Sequence, residues 1–300
     1  MKTTLKSYQG PAELVLDMAA ALARLDRLVT VEIGELANHS VVQVKGLDSR
    51  EEVVEGIAVY LVGAIAGCIE FNLQIRAALF NEKRLSRDLL RDVVQIVGAT
   101  NSIEENVKIY DRDPWLWEGI SHLLFHLSLT DPAKHPPAPL IAKSSLHLSA
   151  KDHGLDIVAL YGVDSLGVSA AECKAYLQRP SDAIADAANR LREIDHELRD
   201  SEIRSVLVQL RPSLSSSQQT KLASAFWYQE RAYFPMVCCD AKYGVDWTED
   251  RIVLSRLVPP ANRKHLVPAS IDDARRFFDA VADAMRSYAA GKPFGAQGSV

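Results

Sequence analysis

Residues 153–176 read HGLDIVALYGVDSLGVSAAECKAY, and this stretch decides our interpretation of the fold. Two apolar runs, residues 155–161 and 166–176, are joined by a polar turn around residues 162–165, a pattern that favours two paired β-strands. Three charged side chains lie within the runs: Asp156, Glu172 and Lys174. Burial of a charge in a strand is costly unless the charge is paired or binds a metal, so these residues need an explanation.

Side chains alternate along a strand, so Glu172 and Lys174 point to one face and Cys173 points to the other. If the two runs pair, the carboxylate of Asp156 comes beside the first face. Two carboxylates and one ammonium then share a pocket, and oxygen ligands of this kind suit Mg²⁺ or Mn²⁺. Lys174 would orient or deprotonate an attacking water, or stabilise phosphoryl charge. The alternative is a structural salt bridge between Lys174 and one carboxylate.

The composition indicates an ordinary globular protein, with 48% hydrophobic and 24% charged residues. Its 300 residues suffice for one large domain or two ordinary ones. The formal net charge of −5 argues against nucleic-acid binding through overall charge, although it leaves room for local basic patches. The four cysteines form no disulfide or zinc pattern and the N-terminus has no apolar signal-peptide core, so we expect a cytoplasmic protein.

The first third of the chain reads as helices with one strand pair. Pro11–Leu28 and residues 85–97 have helical periodicity, and residues 29–44 are rich in the β-branched residues typical of a hairpin or strand pair. A helix that opens near Ser49 contains an almost wholly apolar run, residues 57–69. This run is too short to cross a bilayer, where about 20 residues are needed, so we expect a buried core helix.

Residues 1–110 contain no catalytic constellation that we identify, and residues 111–114 (DRDP) mark a boundary. We therefore divide the chain into a mainly helical N-terminal region, 1–110, and a second domain, 111–300. The apolar run 57–69 either packs onto the second domain or docks a partner. With the basic helix at residues 83–91, the N-terminal region is a candidate partner interface, although basic helix faces are more often simply solvated.

A helix predicted at residues 115–129 carries Glu118, His122 and His126 on one stripe, four residues apart. Such a stripe occurs at metal sites. More often, however, its histidines are hydrogen-bonded residues of the core or of a pocket. A zinc site is the weaker interpretation, because no cysteine or tightly spaced third ligand lies nearby.

Further elements are predicted downstream of a Pro-rich connector at residues 131–139. They are strands at residues 140–149, 203–210 and 233–239, a helix capped by Ser181, a helix at residues 215–228, and a last helix opened by a capping box of Ser270 and Asp273. The sequence contains no Walker A motif, so the chain should not hydrolyse ATP itself.

From residue 115 the predicted order is helix, three strands, helix, strand. Together with Asp156, Glu172 and Lys174, this order resembles the core of the PD-(D/E)XK nuclease superfamily. The resemblance implies an α/β fold with a restriction-endonuclease-like α-β-β-β-α-β core, in which helices flank a mixed sheet. In that family the middle strands carry an Asp and a Glu-x-Lys, and a Glu on the preceding helix often completes the site. Glu118 is the matching candidate for the helix position.

Over about residues 112–240, the resemblance points to one particular family within this superfamily. The runs GISHLLFHL and HGLDIVALY, followed by a small residue and Glu-x-Lys-x-Tyr, are similar to the HamA-type nuclease subunit of the Hachiman anti-phage defence system. The chain departs from that family at two positions. Leu155 stands where an aromatic residue is typical, and Ala171 stands where Gly usually precedes the Glu.

The resemblance implies a metal-dependent endodeoxyribonuclease. Such a protein is the effector subunit of a defence complex with a HamB-type helicase partner, and it does not bind a membrane. Asp156 and Glu172 would bind Mg²⁺ or Mn²⁺ with the Cys173 backbone carbonyl, Lys174 would position the attacking water, and Glu118 would assist the metal or its water. The acidic balance fits a complex in which another subunit supplies much of the DNA affinity. The alternatives are a non-catalytic interaction subunit of the same fold, or a restriction or repair nuclease of the same superfamily.

Overall fold

The computed structural model describes residues 11–67, 82–134, 139–148, 154–162, 165–223 and 229–291. Within these residues, seven strands form one mixed sheet, and helices cover both of its faces. The strands are β1 (Thr30–Glu35), β2 (Ser40–Lys45), β3 (Leu140–Lys143), β4 (Ile157–Tyr161), β5 (Gly167–Ala175), β6 (Arg231–Asp240) and β7 (His265–Ile271). The chain therefore has the expected α/β class.

Eight helices of two turns or more belong to the described part of the chain. They are α1 (Pro11–Leu28), α2 (Glu51–Ile65), α3 (Glu82–Val97), α4 (Asp113–Thr130), α5 (Pro180–Asp195), α6 (Asp200–Leu210), α7 (Ser216–Ala223) and α8 (Ala274–Ala289). A π-helical segment, Lys108–Arg112, leads directly into α4. No helix among the described residues is long and apolar enough to cross a membrane.

The strand order is β1-β2-β7-β6-β5-β4-β3. The four central strands β2, β7, β6 and β5 pair in parallel, whereas β1 and the β5-β4-β3 end of the sheet are antiparallel. The turn between β4 and β5 begins at Gly162, whose φ of 126° suits glycine because a Cβ there would lie 1.9 Å from the Ser165 carbonyl oxygen. The paired strands predicted on either side of residues 162–165 are thus confirmed.

Alternate residues of the central strands enter two different cores. Ala171 and Cys173 of β5 belong to a core with α1, α2, α4 and α8, whereas Val168 and Ala170 of the same strand belong to a core with α5 and α6. This alternation follows from the period of two along a strand. Glu172 and Lys174 consequently lie on the α5 side of the sheet, opposite Cys173.

The N-terminal elements pack within the chain. Residues 29–44 form the predicted strand pair, β1 and β2, and β2 continues the sheet beside β7. Every described residue of the apolar run from 57 to 66 is buried, so this part packs inside the chain as a core helix and does not form an exposed docking surface. One core contains side chains from both sides of the predicted boundary at residue 110. The division into two domains stays a prediction.

One predicted strand in the C-terminal half is wrong, and one strand was missed. Residues 203–210 form most of helix α6, because Ile203, Leu207 and Leu210 recur at helical spacing on its buried side, while Val208 is 70% exposed. The last strand of the predicted order is therefore β6. Strand β7 was not predicted at all.

The predicted capping box at the last helix is also wrong. Ser270 lies in β7, and α8 begins at Ala274. Asp273 is itself the N-cap, and its carboxylate accepts a hydrogen bond from the backbone N–H of Arg276.

Candidate metal centre

The candidate site lies at the start of β4, where β5 continues past the first residue of β4. Ile157, the first residue of β4, pairs with Ala171, so β5 extends beyond its neighbour from residue 172 to residue 175. Asp156 precedes β4, and its Oδ2 accepts a hydrogen bond of 2.6 Å from the backbone N–H of Cys173. The side chain of Asp156 thus satisfies a backbone donor that β4 leaves without a strand partner, and this bond fixes its carboxylate beside β5.

Glu172 is buried on the same extension of β5, with 3% of its surface exposed. One of its oxygens, Oε1, accepts a hydrogen bond of 2.7 Å from Lys174 Nζ. The other oxygen, Oε2, is buried and has no hydrogen-bond partner among the described residues. A buried carboxylate oxygen without a partner is costly, so this atom indicates either strain or a missing ligand.

Helix α4 contributes Glu118 to the same place. The Glu118 side chain is buried, and its Oε1 lies 2.9 Å from Nδ1 of His147, a residue of the loop that follows β3. One potential ligand atom from each of Glu118, His147 and Asp156 lies within 4.8 Å of the other two. The structure therefore brings Glu118 and Asp156 together and adds His147. Glu172, with its bound Lys174, lies outside this group of ligand atoms, on the extension of β5 whose Cys173 N–H binds Asp156.

The carboxyl groups of the site repel one another in a buried environment. Burial, together with the charge of Glu118, raises the pKa of Asp156 to about 6. Burial and the charge of Asp156 raise the pKa of Glu172 to about 8. Burial also raises the pKa of Glu118, against the lowering effect of His147. A cation between these groups would favour their charged forms, because an opposite charge stabilises ionised carboxylates.

At Lys174, the nearby charges outweigh the effect of burial on the pKa. Burial by itself lowers its pKa, but the adjacent carboxylate of Glu172 outweighs burial, and the pKa is raised overall. The side chain is 24% exposed, so the ammonium group lies at the border between the buried carboxylates and solvent. It can therefore contact an anionic group that approaches from outside.

The donor set fits a hard divalent cation. Carboxylate oxygens are the ligands that Mg²⁺ and Mn²⁺ prefer, and Glu172 Oε2 is a buried acceptor that a cation would satisfy. The Cys173 carbonyl, which the family resemblance assigns as a further ligand, stays a prediction.

His122 and His126 lie on α4 one and two turns after Glu118, but neither belongs to the group of described side chains that are close enough to share an ion. His122 Nδ1 lies 2.8 Å from the Tyr60 hydroxyl oxygen, and its Nε2 lies 2.9 Å from the Ser144 carbonyl oxygen and 2.7 Å from Lys143 Nζ. His126 packs edge-on against the Tyr60 ring. These contacts fit the interpretation of the two histidines as core residues.

His147 is the site residue that sequence reasoning missed. It follows β3 and precedes Asp156 by nine positions, and this spacing matches no metal-binding pattern. It reaches the site because the Trp115 indole N–H donates a 2.9 Å hydrogen bond to its carbonyl oxygen. No signal in the sequence alone points to this contact.

Comparison with known proteins adds no further assignment, because no protein-family model, no curated protein and no solved structure matches the chain. The chemistry of the site must therefore be argued from its geometry. That geometry consists of three carboxylates, one imidazole and one ammonium at the end of an antiparallel strand pair.

Proposed function

We propose that this protein is a metal-dependent nuclease that hydrolyses phosphodiester bonds, with DNA as its substrate. The observation that carries the proposal is Glu172, a buried carboxylate with one oxygen bound to Lys174 and the other without a partner among the described residues. A structural salt bridge needs only Lys174 and one carboxylate. Asp156 and Glu118 raise the electrostatic cost of the site, and such a cost is typical of functional clusters.

Each side chain has a defined role in this proposal. Asp156, Glu172 and Glu118 bind Mg²⁺ or Mn²⁺, with the Cys173 carbonyl as a further ligand. The bound cation supplies Lewis-acid charge and a more acidic water molecule. Lys174, held as an ammonium by its contact with Glu172, donates hydrogen bonds to the attacking water or to a phosphoryl oxygen.

The order of the elements supports assignment to the PD-(D/E)XK superfamily. Helix α4 is followed by β3, β4 and β5, then by α5, and finally by β6, which pairs in parallel with β5. This is the α-β-β-β-α-β order of the proposed core, with α6 and α7 inserted before the last strand. In this assignment Glu118 of α4 would be the helix Glu, Asp156 before β4 the Asp, and Glu172 and Lys174 of β5 the Glu-x-Lys.

A role as the effector subunit of a Hachiman-type defence complex is the more specific proposal. Its support is the resemblance of the short runs GISHLLFHL, HGLDIVALY and Glu-x-Lys-x-Tyr to that family, the absence of a Walker A motif and the net charge of −5. A nuclease that lacks both a motor motif and a basic balance needs a partner that loads it onto DNA, and a helicase of the HamB type has that property. The alternative is a restriction or repair nuclease of the same superfamily. Such a nuclease would act without a helicase partner.

A cleavage assay tests the catalytic proposal. Purified protein is incubated with supercoiled plasmid and Mg²⁺, Mn²⁺ or EDTA, alone and together with a helicase of the HamB type. We expect nicking that requires the metal and that Lys174→Ala abolishes. Lys45→Ala is the matched control, because it breaks another Lys–Glu pair, with Glu32 at 3.8 Å, at the far edge of the sheet.

The control should cut like the wild type. Nicking that persists in EDTA, or that survives in Lys174→Ala, would contradict the proposed mechanism. Absence of cleavage under all conditions, with a folded protein that still binds a partner, would favour the non-catalytic interaction subunit.

A further inference from the structure

We propose that His147 is a ligand of the metal in this centre, so that the site combines nitrogen with oxygen ligands and prefers Mn²⁺ to Mg²⁺. This inference rests on the metal centre of the proposed function and deepens it. The motif Asp…Glu-x-Lys contains only oxygen ligands and one ammonium, and neither that motif nor the helix Glu118 predicts an imidazole. The placement of His147 in the folded chain is the new observation.

The distances allow one ion to contact all three groups. Ligand atoms at about 2.0–2.2 Å from a cation lie about 3–4.4 Å from one another. The ligand atoms of Glu118, His147 and Asp156 lie within 4.8 Å of one another, so contraction by a few tenths of an ångström brings them to that range. His147 Nδ1, the nitrogen that faces Glu118, is the atom in position to bind.

An independent observation indicates that a ligand is missing here. Glu172 Oε2 is buried and has no hydrogen-bond partner among the described residues, although Glu172 is only 3% exposed. Glu118 Oε1, the oxygen that faces His147 Nδ1, is also buried without a hydrogen-bond partner among the described residues. A divalent cation bound between Glu118, His147 and Asp156 would satisfy it.

The loop that carries His147 is fixed on both sides of the residue. Leu146 is buried in the core with α4, and the His147 carbonyl accepts the hydrogen bond from Trp115. Earlier in the loop, Ser144 exchanges hydrogen bonds with Val158 of β4, at 2.7 Å through its N–H and at 3.1 Å through its hydroxyl. His147 is therefore held in place before any ion binds, and a preformed ligand loses little entropy on binding.

An imidazole ligand changes the choice of metal. Mg²⁺ binds oxygen ligands, keeps much of its water and tolerates little departure from octahedral geometry. Nitrogen ligands favour first-row transition metals, among which Mn²⁺ also accepts carboxylates. A centre of two or three carboxylates and one imidazole therefore selects Mn²⁺ over Mg²⁺.

Metal binding to the full-length protein tests the inference without reference to cleavage. Calorimetric titration with Mn²⁺ and with Mg²⁺ gives both affinities, and pulsed EPR of the Mn²⁺-loaded protein detects coupling to a directly bound imidazole nitrogen. We expect Mn²⁺ to bind at least about tenfold more tightly than Mg²⁺. The nitrogen coupling should be present in the wild type and absent in His147→Gln.

The variant series separates a ligand from a positioning residue. His147→Gln should lower Mn²⁺ affinity about tenfold or more and Mg²⁺ affinity much less. His126→Gln is the control, because His126 lies on α4 near the site but outside the group of ligand atoms. It should retain both the affinities and the coupling. His147 is 25% exposed, so its substitution should leave the fold intact.

The failure of this inference differs from the failure of the proposed function. Metal-dependent cleavage without nitrogen coupling, or an equal loss of Mn²⁺ and Mg²⁺ affinity in His147→Gln, would overturn the inference and leave the nuclease proposal standing. If Mn²⁺ shows the nitrogen coupling but the protein cuts no DNA, His147 is a metal ligand and the nuclease proposal is overturned. Absence of binding by either metal would overturn both.

Discussion

Glu172 combines deep burial with an unpartnered oxygen, and this makes it the sharpest test at the scale of single residues. Glu172→Gln keeps the size of the side chain and an acceptor for Lys174 but removes the charge that would bind a cation. We expect cleavage to fall at least about 100-fold and the protein to stay folded. Initial rates of plasmid nicking and circular-dichroism melting curves measure the two effects.

Glu55→Gln is the control for this variant. Glu55 is another buried carboxylate, but it lies in α2 and outside the candidate site. Its substitution should leave cleavage unchanged. Equal losses of activity in the two variants would mean that the loss of any buried carboxylate, and not of a metal ligand, lowers cleavage.

Glu118→Gln addresses the third carboxylate. Because Glu118 lies in the same group of ligand atoms as Asp156, its substitution should weaken cleavage and raise the Mg²⁺ concentration that half-maximal cleavage requires. The expected shift is about tenfold or more. If the Mg²⁺ titration curve of the variant coincides with that of the wild type, Glu118 merely pairs with His147.

The candidate residues differ in how far the sequence predicts them. Asp156, Glu172 and Lys174 are noticeable because charges interrupt apolar strands, and the local register of two paired strands brings them near one another. To predict Glu118 as a site residue, one must also know which helix packs beside those strands. His147 lies in a loop of no regular period, and its place is decided by a tertiary hydrogen bond from Trp115.

At the scale of elements, α4 offers two matched tryptophans. Trp115 donates its indole N–H to the His147 carbonyl at 2.9 Å, and Trp117 donates to the Met236 carbonyl at 3.0 Å. Both side chains are buried. Trp115→Phe and Trp117→Phe each remove one such hydrogen bond, so we expect each to lower the free energy of unfolding by about 1–3 kcal/mol.

Of the two variants, Trp115→Phe alone should also weaken metal binding, because Trp115 donates to the His147 carbonyl and Trp117 donates to Met236 in β6. Denaturant unfolding compares the stabilities, and calorimetric titration with Mn²⁺ compares the affinities. If both variants bind Mn²⁺ like the wild type, the hydrogen bond from Trp115 does not determine the position of His147.

The wrong strand at residues 203–210 and the missed strand β7 have definite causes. Residues 203–210 are rich in valine and isoleucine, which favours a strand, but the burial of Ile203, Leu207 and Leu210 follows the helical period. Strand β7 contains Pro268, which ordinarily argues against an interior strand, and yet β7 lies between β2 and β6. In both cases tertiary packing outweighed the local preference, which was for a strand at residues 203–210 and against a strand at Pro268.

At the scale of the whole molecule, Glu55 should make stability depend on pH. Burial and the nearby charge of Glu51 raise its pKa from 4.5 to about 7, although Arg24 opposes this effect. The folded protein therefore retains a proton that the unfolded chain releases, so the contribution of Glu55 to stability is lost as the pH rises from 4.5 through about 7.

Glu55→Gln removes this dependence. The variant should be more stable than the wild type by on the order of 2 kcal/mol at neutral to mildly basic pH, with the difference vanishing at acidic pH. Urea unfolding of both proteins across this pH range measures the difference. A constant difference at all pH values would show that the titration of Glu55 does not contribute.

Truncation tests the division at residue 110. The core formed with α1, α2, α4 and α8 includes side chains from both sides of that residue, and β2 pairs with β7. We expect a protein that begins at residue 111 to be insoluble, because α8 and part of the sheet would lose their apolar cover. A soluble fragment with a cooperative unfolding transition would instead support two domains and leave residues 1–110 available as a partner interface.

The central claim is that Glu118, Asp156 and Glu172 form one metal centre at the start of β4. Anomalous diffraction from crystals grown with Mn²⁺ tests it most directly, because it locates the ion independently of activity. The account predicts one strong peak within about 2.0–2.4 Å of carboxylate oxygens from these residues, next to Lys174. The absence of a peak there, at Mn²⁺ concentrations that support cleavage, would contradict it.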